Sequence, residues 1–490
     1  MRRRDVETGS TAETGTAETR TAEKSDEWRE FRVRPGLLAV AILFLIYLFW
    51  ALPAEAGAQT VTDSGDPVLD DLIAEALGAN PGVHAVEARV DGARADRFDA
   101  TLDLAPRITA IGAYTRQRLS GASFPEFGEA FPDQDVWEVG SRLSWELDAF
   151  GRLRNSLRAS SELVNAAGED VEAVRVDIAA EVAREYYRLR GRDDRLAVAR
   201  RNAENQRRTL DLTLERLDAG RGTALDTERA RAQLSTTLAS IPALEADVAA
   251  SRHRIAALIG RQPGDEIPAL ATVEIPDDGK QPTDELAGLR LPAEVGLPDP
   301  AALVRDRPDV LGAMRRHEAG SALVSSARAS YLPRFSIEGG AGYTAEAFDA
   351  IGDSGTFRYG IGAVVSWPLF DLGRVKANVD AAQAQESEAR RLYERAVLDA
   401  HEQIETSLVV YNTARRRLGH LADAAEASER ATELARLRFE SGATDFLEVL
   451  DSERRLLEAQ DGLAAGRLET AAAFVNVFRV SGGVWPESAE

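Results

Sequence analysis

The sequence predicts an α+β membrane protein built twice on one plan, with long antiparallel helical hairpins and four membrane-spanning strands per chain. Three observations predict this fold class: an internal repeat, four short segments of alternating apolar residues, and very long stretches without proline. Of the 490 residues 44% are hydrophobic and 6% aromatic, which suits an elongated helical protein better than a chain of small compact domains.

The N-terminal segment predicts export from the cytoplasm. Residues 1–34 are polar, and an apolar run follows at 36–52. The small residues just before Gln59 form a site that a signal peptidase can cut. We therefore expect 1–58 to be a signal peptide with a long polar n-region. An uncleaved membrane anchor is the alternative, because the apolar run is near the lower length limit for crossing a bilayer.

A duplication accounts for nearly all of the expected mature chain. WELDAFGRLR at 145–154 matches WPLFDLGRVK at 367–376, and two glycine-containing turns further along share the same offset of 222 residues. The first structural repeat therefore covers 59–260 and the second 300–490. Residues 261–299 form a proline-rich linker between them.

Both repeats have the same predicted order of elements, which is a helix, two strands and a helical hairpin. The leading helices are predicted at 67–103 and 300–330. The strands are predicted at about 107–118, 135–147, 334–345 and 356–369. The hairpins are predicted to turn at tips 216–225 and 438–447.

The four predicted strands alternate apolar and polar residues, as a strand with two different faces does. In the second strand the apolar positions are Trp137, Val139, Leu143, Trp145 and Leu147. Strands of about ten residues with aromatic ends and one polar face suit a transmembrane β-barrel. A half-buried sheet in a soluble protein is the alternative, but the sequence offers no obvious apolar layer to cover it.

Four strands are too few to close a barrel, and an open sheet edge in lipid is costly. Several chains must therefore share one barrel, and three copies would give a twelve-stranded β-barrel. The stretch 152–216 would reach roughly 100 Å as one helix, at about 1.5 Å per residue. In a trimer, these helices and their return partners would form a hollow α-barrel with the hairpin tips at its far end.

Composition excludes several other classes of protein. The net charge of −22 argues against binding nucleic acid phosphates. The absence of cysteine rules out disulfides, thiol nucleophiles and cysteine-based metal centres. No two of the five histidines are within one helical turn, and HEQIE at 401–405 lacks the second histidine of a zinc protease. We expect neither an enzyme nor a cofactor.

Seven short segments, in the same order, resemble the outer membrane factor (TolC-type) family of tripartite efflux systems, most closely its NodT-like branch. They are DPVLDDLIAEALGANPGV at 66–83, SWELDAFGR at 144–152, LIGRQPG at 258–264, LPAEVGLP at 291–298, RPDV at 307–310, YLPRFS at 331–336 and SGGVW at 481–485. The resemblance covers nearly the whole of the expected mature chain.

The resemblance implies a homotrimeric channel with a β-barrel in the outer membrane, a helical tunnel across the periplasm, and an equatorial belt from the linker and C-terminus. Such channels conduct exported molecules and perform no chemistry. The implied partners are outer-membrane lipid, a periplasmic adaptor (membrane fusion) protein and an inner-membrane pump, commonly of the resistance–nodulation–division (RND) type. NodT-like members usually carry a lipidated cysteine, which this chain lacks, so we expect a channel that is not lipidated.

In the family, the tunnel narrows at its periplasmic end, where acidic side chains ring the pore. Counted from Gly442, the matching acids are Glu448 and Asp451, three residues apart on one helix face. Three copies would surround the aperture with six carboxylates, which should raise one another's pKa and attract cations. An ordinary solvated helix face is the other interpretation.

The resemblance also implies a latch that keeps the aperture closed, with Asp226, Arg216, Arg438 and Phe439 as candidates. Asp226 matches a family latch acid, and it is also the counterpart of Glu448 in the first repeat. Its implied aromatic partner, Phe439, has no hydroxyl, so Arg216 or Arg438 would have to replace it. Thr444 stands where the family has a basic latch residue.

The two hairpin tips are candidate docking sites for the adaptor, with Gly220 and Arg221 in one tip and Gly442 and Thr444 in the other. Glycine permits the tight reversal of the chain there. A further repeated set is expected to serve the transition from strand to helix: Trp145, Gly151 and Arg152, with Trp367, Gly373 and Arg374.

An export channel of an efflux system explains the signal peptide, the repeat and the strands together. The outer-membrane channel of a type I protein secretion system is one alternative. An anchored coiled-coil scaffold without a pore is another, but a scaffold has no use for strands with one apolar, aromatic face.

Overall fold

The computed structural model describes residues 64–119, 132–270, 295–296, 300–485 and 487–488. The expected signal peptide and most of the linker lie outside these ranges. The helices are α1 Pro67–Ala79, α2 Pro81–Leu102, α3 Arg152–Asp218, α4 Ala224–Leu258, α5 Pro300–Asp306, α6 Pro308–Ala329, α7 Leu372–Glu440 and α8 Phe446–Val480. The strands are β1 Arg107–Gln117, β2 Gln134–Leu147, β3 Val295–Gly296, β4 Arg334–Ala345, β5 Phe357–Ser366 and β6 Glu487–Ser488.

The leading helix of each repeat is interrupted by a proline. Asn80 and Arg307 have extended backbones, with ψ of 122° and 131°, because a proline follows each of them. Asn80 is buried, its Nδ2 donates to the Leu258 carbonyl at 2.8 Å, and its Oδ1 accepts from the Gly82 amide at 2.7 Å. The single helices predicted at 67–103 and 300–330 are therefore corrected to two helices each.

Two long hairpins dominate the molecule. Hairpin 1 consists of α3 and α4, and hairpin 2 of α7 and α8; α3 has 67 residues and α7 has 69. Their turns at 219–223 and 441–445 contain Gly220 and Gly442, with φ of 71° and 78°. Such positive angles are readily available only to glycine. Within the described ranges, no helix is both long and apolar enough to cross a membrane.

Among the described residues, the largest apolar core lies around the middle of α3, far from the hairpin tips. There α1 packs against α3, the end of α4 and the end of α8, with Leu69, Val182, Ile255 and Phe478 fully buried. Trp485 stacks on Phe478, with ring centroids 4.0 Å apart. Each fully buried large apolar side chain contributes about 1.5–3 kcal/mol to the stability of the fold. This core therefore holds these four helices firmly together.

The four longer strands form an antiparallel sheet in the order β1-β2-β4-β5. The register places the apolar residues on one face, where Ile108 is opposite Leu143, Trp145 opposite Ile337, and Tyr343 opposite Phe357. This face is open to solvent in a single chain: Tyr359 is 79% and Ile361 72% exposed. In the described part of the chain, β1 and β5 each pair on one side only.

The transition from strand to helix differs between the repeats. Trp145 Nε1 donates to the Leu104 carbonyl at 2.9 Å, and Trp367 Nε1 donates to the Tyr331 carbonyl at 3.0 Å, so both indoles tie a strand to the end of a leading helix. Gly151, with φ of 78°, precedes the first residue of α3, and Arg152 makes two hydrogen bonds to Glu146, at 2.9 and 2.8 Å.

The second transition does not need its glycine in the same way. Gly373 is the second residue of α7 rather than its cap, and Arg374 donates to Asp371 at 2.8 Å. Both Gly-Arg pairs lie where a strand is followed by a long helix, but of the two glycines only Gly151 uses the left-handed conformation that favours glycine.

Candidate gate at the hairpin tips

The tips of the two hairpins share a small apolar core. Phe439 near the end of α7 and Phe446 at the start of α8 are almost fully buried, with ring centroids 5.6 Å apart. Ala230 of α4 and Val449 of α8 belong to the same cluster. The cluster therefore joins hairpin 1 to hairpin 2 near the turns.

Arg216 links the two tips directly. Its Nη2 donates to the carbonyl oxygens of Phe439 and Glu440, at 2.8 and 3.0 Å, and its guanidinium carbon lies 4.0 Å from the centroid of the Phe439 ring. The last carbonyls of a helix have no partner within the helix and form the negative end of its dipole, so a cation is stabilising there. The face of the ring attracts the same cation.

The other latch candidates do not join this contact. Asp226 accepts a hydrogen bond from the Thr223 hydroxyl at 2.7 Å, and its amide donates to that hydroxyl at 3.2 Å. This is a capping interaction at the start of α4. Within the described ranges, Asp226 forms a hydrogen bond with neither Arg216 nor Arg438. The latch candidates are thus separated into a cap at Asp226 and an arginine–backbone contact at Arg216.

Both acids expected at the aperture lie on α8, where Glu448 is exposed and Asp451 is half-buried. Arginines neighbour both. Glu448 accepts from Arg438 at 2.8 Å and from the Thr444 hydroxyl. Asp451 accepts from Arg454 at 2.8 Å. The Arg454 guanidinium lowers the pKa of Asp451 from its ordinary value of 3.8. Within one chain the lowered pKa of Asp451 is opposite to the rise expected for neighbouring carboxylates, because Arg454 lies beside it.

The residues proposed for docking are accessible at the tips. Gly220, Arg221 and Gly442 are exposed, whereas Thr444 is half-buried. The structure adds Leu225 and Leu447, which follow the two turns at equivalent positions of the repeat and are 58% and 51% exposed. Sequence reasoning missed them, although their offset of 222 residues and their place beside a turn were a usable signal.

Sequence reasoning also missed Glu453, two residues beyond Asp451 on α8. Its side chain is only 5% exposed and accepts hydrogen bonds from Arg436 of α7 and Thr209 of α3, at 2.8 and 3.1 Å. No local pattern distinguishes it from the many exposed glutamates. In the part of the chain that the structure describes, no group of histidine and acidic side chains is arranged to hold a metal ion.

Replacing Arg216 by methionine should loosen the contact between the tips. We expect a loss of about 1–2 kcal/mol locally, because two hydrogen bonds from a charged group disappear. The amides of Ser441, Gly442 and Ala443, which close the adjacent turn, should exchange hydrogen roughly tenfold faster by mass spectrometry. The exposed Arg221→Met is the matched control; equal exchange in both variants would contradict the role of Arg216.

Comparison with known proteins identifies similar chains over nearly the same span. The family profile described as "Outer membrane efflux protein" matches residues 72–261 and 301–483. The pyoverdine export outer membrane protein OpmQ of Pseudomonas aeruginosa is 30% identical over 431 residues, 86% of both chains. Nodulation protein T of Rhizobium leguminosarum bv. trifolii is 27% identical over 436 residues, 86% of this chain and 89% of that protein.

A solved structure of the outer-membrane channel OprN superimposes with a TM-score of 0.76 and 34% sequence identity, over 88% of this chain and 96% of that one. The expected resemblance to outer-membrane efflux channels is therefore confirmed, and so is the expected fold of long helical hairpins with four antiparallel strands.

Proposed function

Because the chain belongs to the outer membrane efflux protein family, we propose that it is the outer-membrane channel subunit of a tripartite efflux or export system of the RND type. One observation carries the proposal: a sheet with an exposed apolar face at one end of long, largely polar helical hairpins. Such a molecule suits a lipid barrel that continues into an aqueous tunnel. The family consists of channel proteins, not enzymes.

The free edges of the sheet support a closed homotrimer. The helices nearest the sheet pack side by side in the order α2, α3, α6 and α7, which follows the order β1, β2, β4 and β5. A ring of identical copies would therefore pair β5 with β1 of the next copy and α7 with its α2. Exposed apolar residues occur on both outer helices, such as Leu398 at 70% and Phe98 at 49%. Three copies close a twelve-stranded barrel without an edge in lipid.

The remaining assignments follow from this arrangement. We place the mature chain in the outer membrane after cleavage before Gln59, without a lipid anchor, and the hairpins in the periplasm. The repeats at 59–260 and 300–490 each contribute one hairpin to the tunnel, and the linker at 261–299 lies at its equator. A periplasmic adaptor docks on the exposed tips, and an inner-membrane pump supplies the cargo.

Purified mature protein in planar lipid bilayers tests the function. We expect discrete, cation-preferring openings from a species whose mass in detergent is that of a trimer and falls to that of one chain on heating. A well-folded monomer without conductance would contradict the proposal.

A further inference from the structure

Three arginines form a group where α3 and α8 lie side by side. Arg190 and Arg201 belong to α3, and Arg467 belongs to α8. All three are close enough to Asp194 of α3 for their charges to act on its carboxyl group. Within the described ranges, none of the three forms an ion pair with Asp194 or with another acid. We call these three arginines the basic cluster.

The other charges nearby are paired, so the basic cluster is a local excess of positive charge. Three neighbouring arginines have an acidic partner: Arg195 has Asp461 at 2.7 Å, Arg208 has Glu204 at 3.5 Å, and Arg252 has Asp193 at 4.0 Å. The basic cluster therefore places three positive charges against the single negative charge of Asp194. This excess stands out in a chain whose net charge is −22.

Asp194 does not satisfy the arginines around it. It is half-buried, and its carboxyl group accepts no hydrogen bond from the described part of the chain. Burial raises the pKa of Asp194 above its ordinary value of 3.8, in spite of the opposing effect of Arg467. The guanidinium groups thus keep donors for the carboxylates of a ligand, with which arginine forms strong, bidentate hydrogen bonds.

The basic cluster lies on the side of α3 that carries α1. Arg190 Nε donates to the Tyr186 hydroxyl at 3.3 Å, and that hydroxyl donates to Asp66 at 2.7 Å, which caps the start of α1. Arg201 is eleven residues, or about three turns, beyond Arg190 and so lies on the same side of α3. Three copies of α1 inside a tunnel would obstruct it. In the proposed trimer this side therefore faces outward.

The position of the basic cluster along hairpin 1 narrows the choice of partner. Arg190 and Arg201 follow Arg152, the first residue of α3, by 38 and 49 residues, which corresponds to about 57 and 74 Å. Lipid headgroups at the sheet are out of reach over that distance. The last residue of α3, Asp218, is about 26 Å beyond Arg201 in the other direction. The cluster is therefore separate from the hairpin tips as well.

We propose that the basic cluster binds the carboxylate groups of peptidoglycan and so attaches the channel to the cell wall. Peptidoglycan is an extended polymer whose peptides carry free carboxylates, and hairpins that cross the periplasm pass through it. The cluster extends over about 17 Å of α3, which suits repeated anionic groups better than one small anion. Three copies around a trimer turn weak single contacts into stable attachment. This inference rests on the proposed function, because it needs the hairpins in the periplasm.

Sedimentation of the purified trimer with protein-free peptidoglycan sacculi tests the inference. Arg201→Gln with Arg467→Gln should lower the affinity for sacculi about tenfold, because two of the three donors to carboxylates are lost at each site. The matched control is Arg200→Gln with Arg207→Gln. It removes the same charge from α3, from arginines that are paired with Glu245 and Glu204. The control should bind sacculi like the original protein.

A change of opposite sign separates binding from a structural role. Asp194→Asn removes the carboxylate that repels an anionic ligand, so it should bind sacculi about threefold more tightly. Sacculi whose carboxyl groups have been converted to neutral amides should retain none of these proteins. The heat-sensitive trimer band should be the same for every variant, which shows that each one is assembled.

Equal sedimentation of the original protein, the cluster variant and the control would overturn the inference, and so would retention by amidated sacculi. Binding only to sacculi that still carry attached proteins would indicate an acidic periplasmic protein as the partner instead. A trimer that conducts in bilayers but does not sediment with sacculi would overturn wall binding alone. If the original protein does not conduct, the proposed function itself fails.

Discussion

Replacing Gly342 by valine should abolish the folded channel. Gly342 of β4 is directly opposite Gly140 of β2, on the polar face of the sheet. A Cβ on Gly342 would lie 2.5 Å from the Val139 carbonyl oxygen and 2.6 Å from the Gly140 Cα. Both are backbone atoms, so no side-chain rotation relieves the clash and the strands must move apart. We expect a cost of about 3 kcal/mol in each chain.

The measurement is the yield of heat-sensitive trimer in detergent, which should fall to near zero for Gly342→Val. Gly360→Val is the matched control: Gly360 lies on the same face in β5, and a Cβ there would meet nothing within 4 Å. The control should assemble normally. A normal yield for both variants would show that the central strands tolerate a side chain at Gly342, contrary to the geometry.

Neutralising the two aperture acids, by Glu448→Gln with Asp451→Asn, should shift the ion selectivity of the channel from cations toward anions. Arg438 pairs with Glu448, and both Arg454 and Arg455 pair with Asp451. The double variant leaves these three arginines without their acids. In a trimer the charge around the aperture would rise by about six units, which is a large change in a narrow opening.

Reversal potentials in a KCl gradient measure this effect. The control is Asp423→Asn with Glu433→Gln, which removes two exposed acids from α7 of the same hairpin. It should retain the original cation preference. Unchanged selectivity in the aperture variant would remove Glu448 and Asp451 from the conduction pathway.

The same measurement has an expected pH dependence. The hydrogen bond from Arg454 lowers the pKa of Asp451 from 3.8, so the charged form persists below the ordinary range. The attraction between Asp451 and Arg454 is fully present at pH values above the ordinary pKa of aspartate. It is lost only as pH falls through the lowered pKa of Asp451. Selectivity due to Asp451 should therefore be constant from neutral pH down to about pH 5. A loss of selectivity between those values would implicate groups with higher pKa values.

The repeat, the alternating strands and the long helices could be predicted from sequence because each leaves a local, periodic signature. A period of two places alternate residues on one face of any strand, and the observed register pairs those faces across the sheet. The breaks in the leading helices were also accessible, since Pro81 and Pro308 follow the residues at which those helices end.

Side-chain partners at the candidate gate required the tertiary structure. Asp226 and Glu448 are equivalent in the repeat, yet one caps its own helix and the other pairs with Arg438. Glu453 and Glu448 belong to the same helix, yet only Glu453 faces hairpin 1 and is buried. The burial of Glu453 depends on which helix lies alongside, and packing between segments more than 200 residues apart decides that. The short-range periodicity of the sequence does not reveal this packing, because the burial of a residue such as Glu453 is decided by side chains that are close in space but distant in sequence.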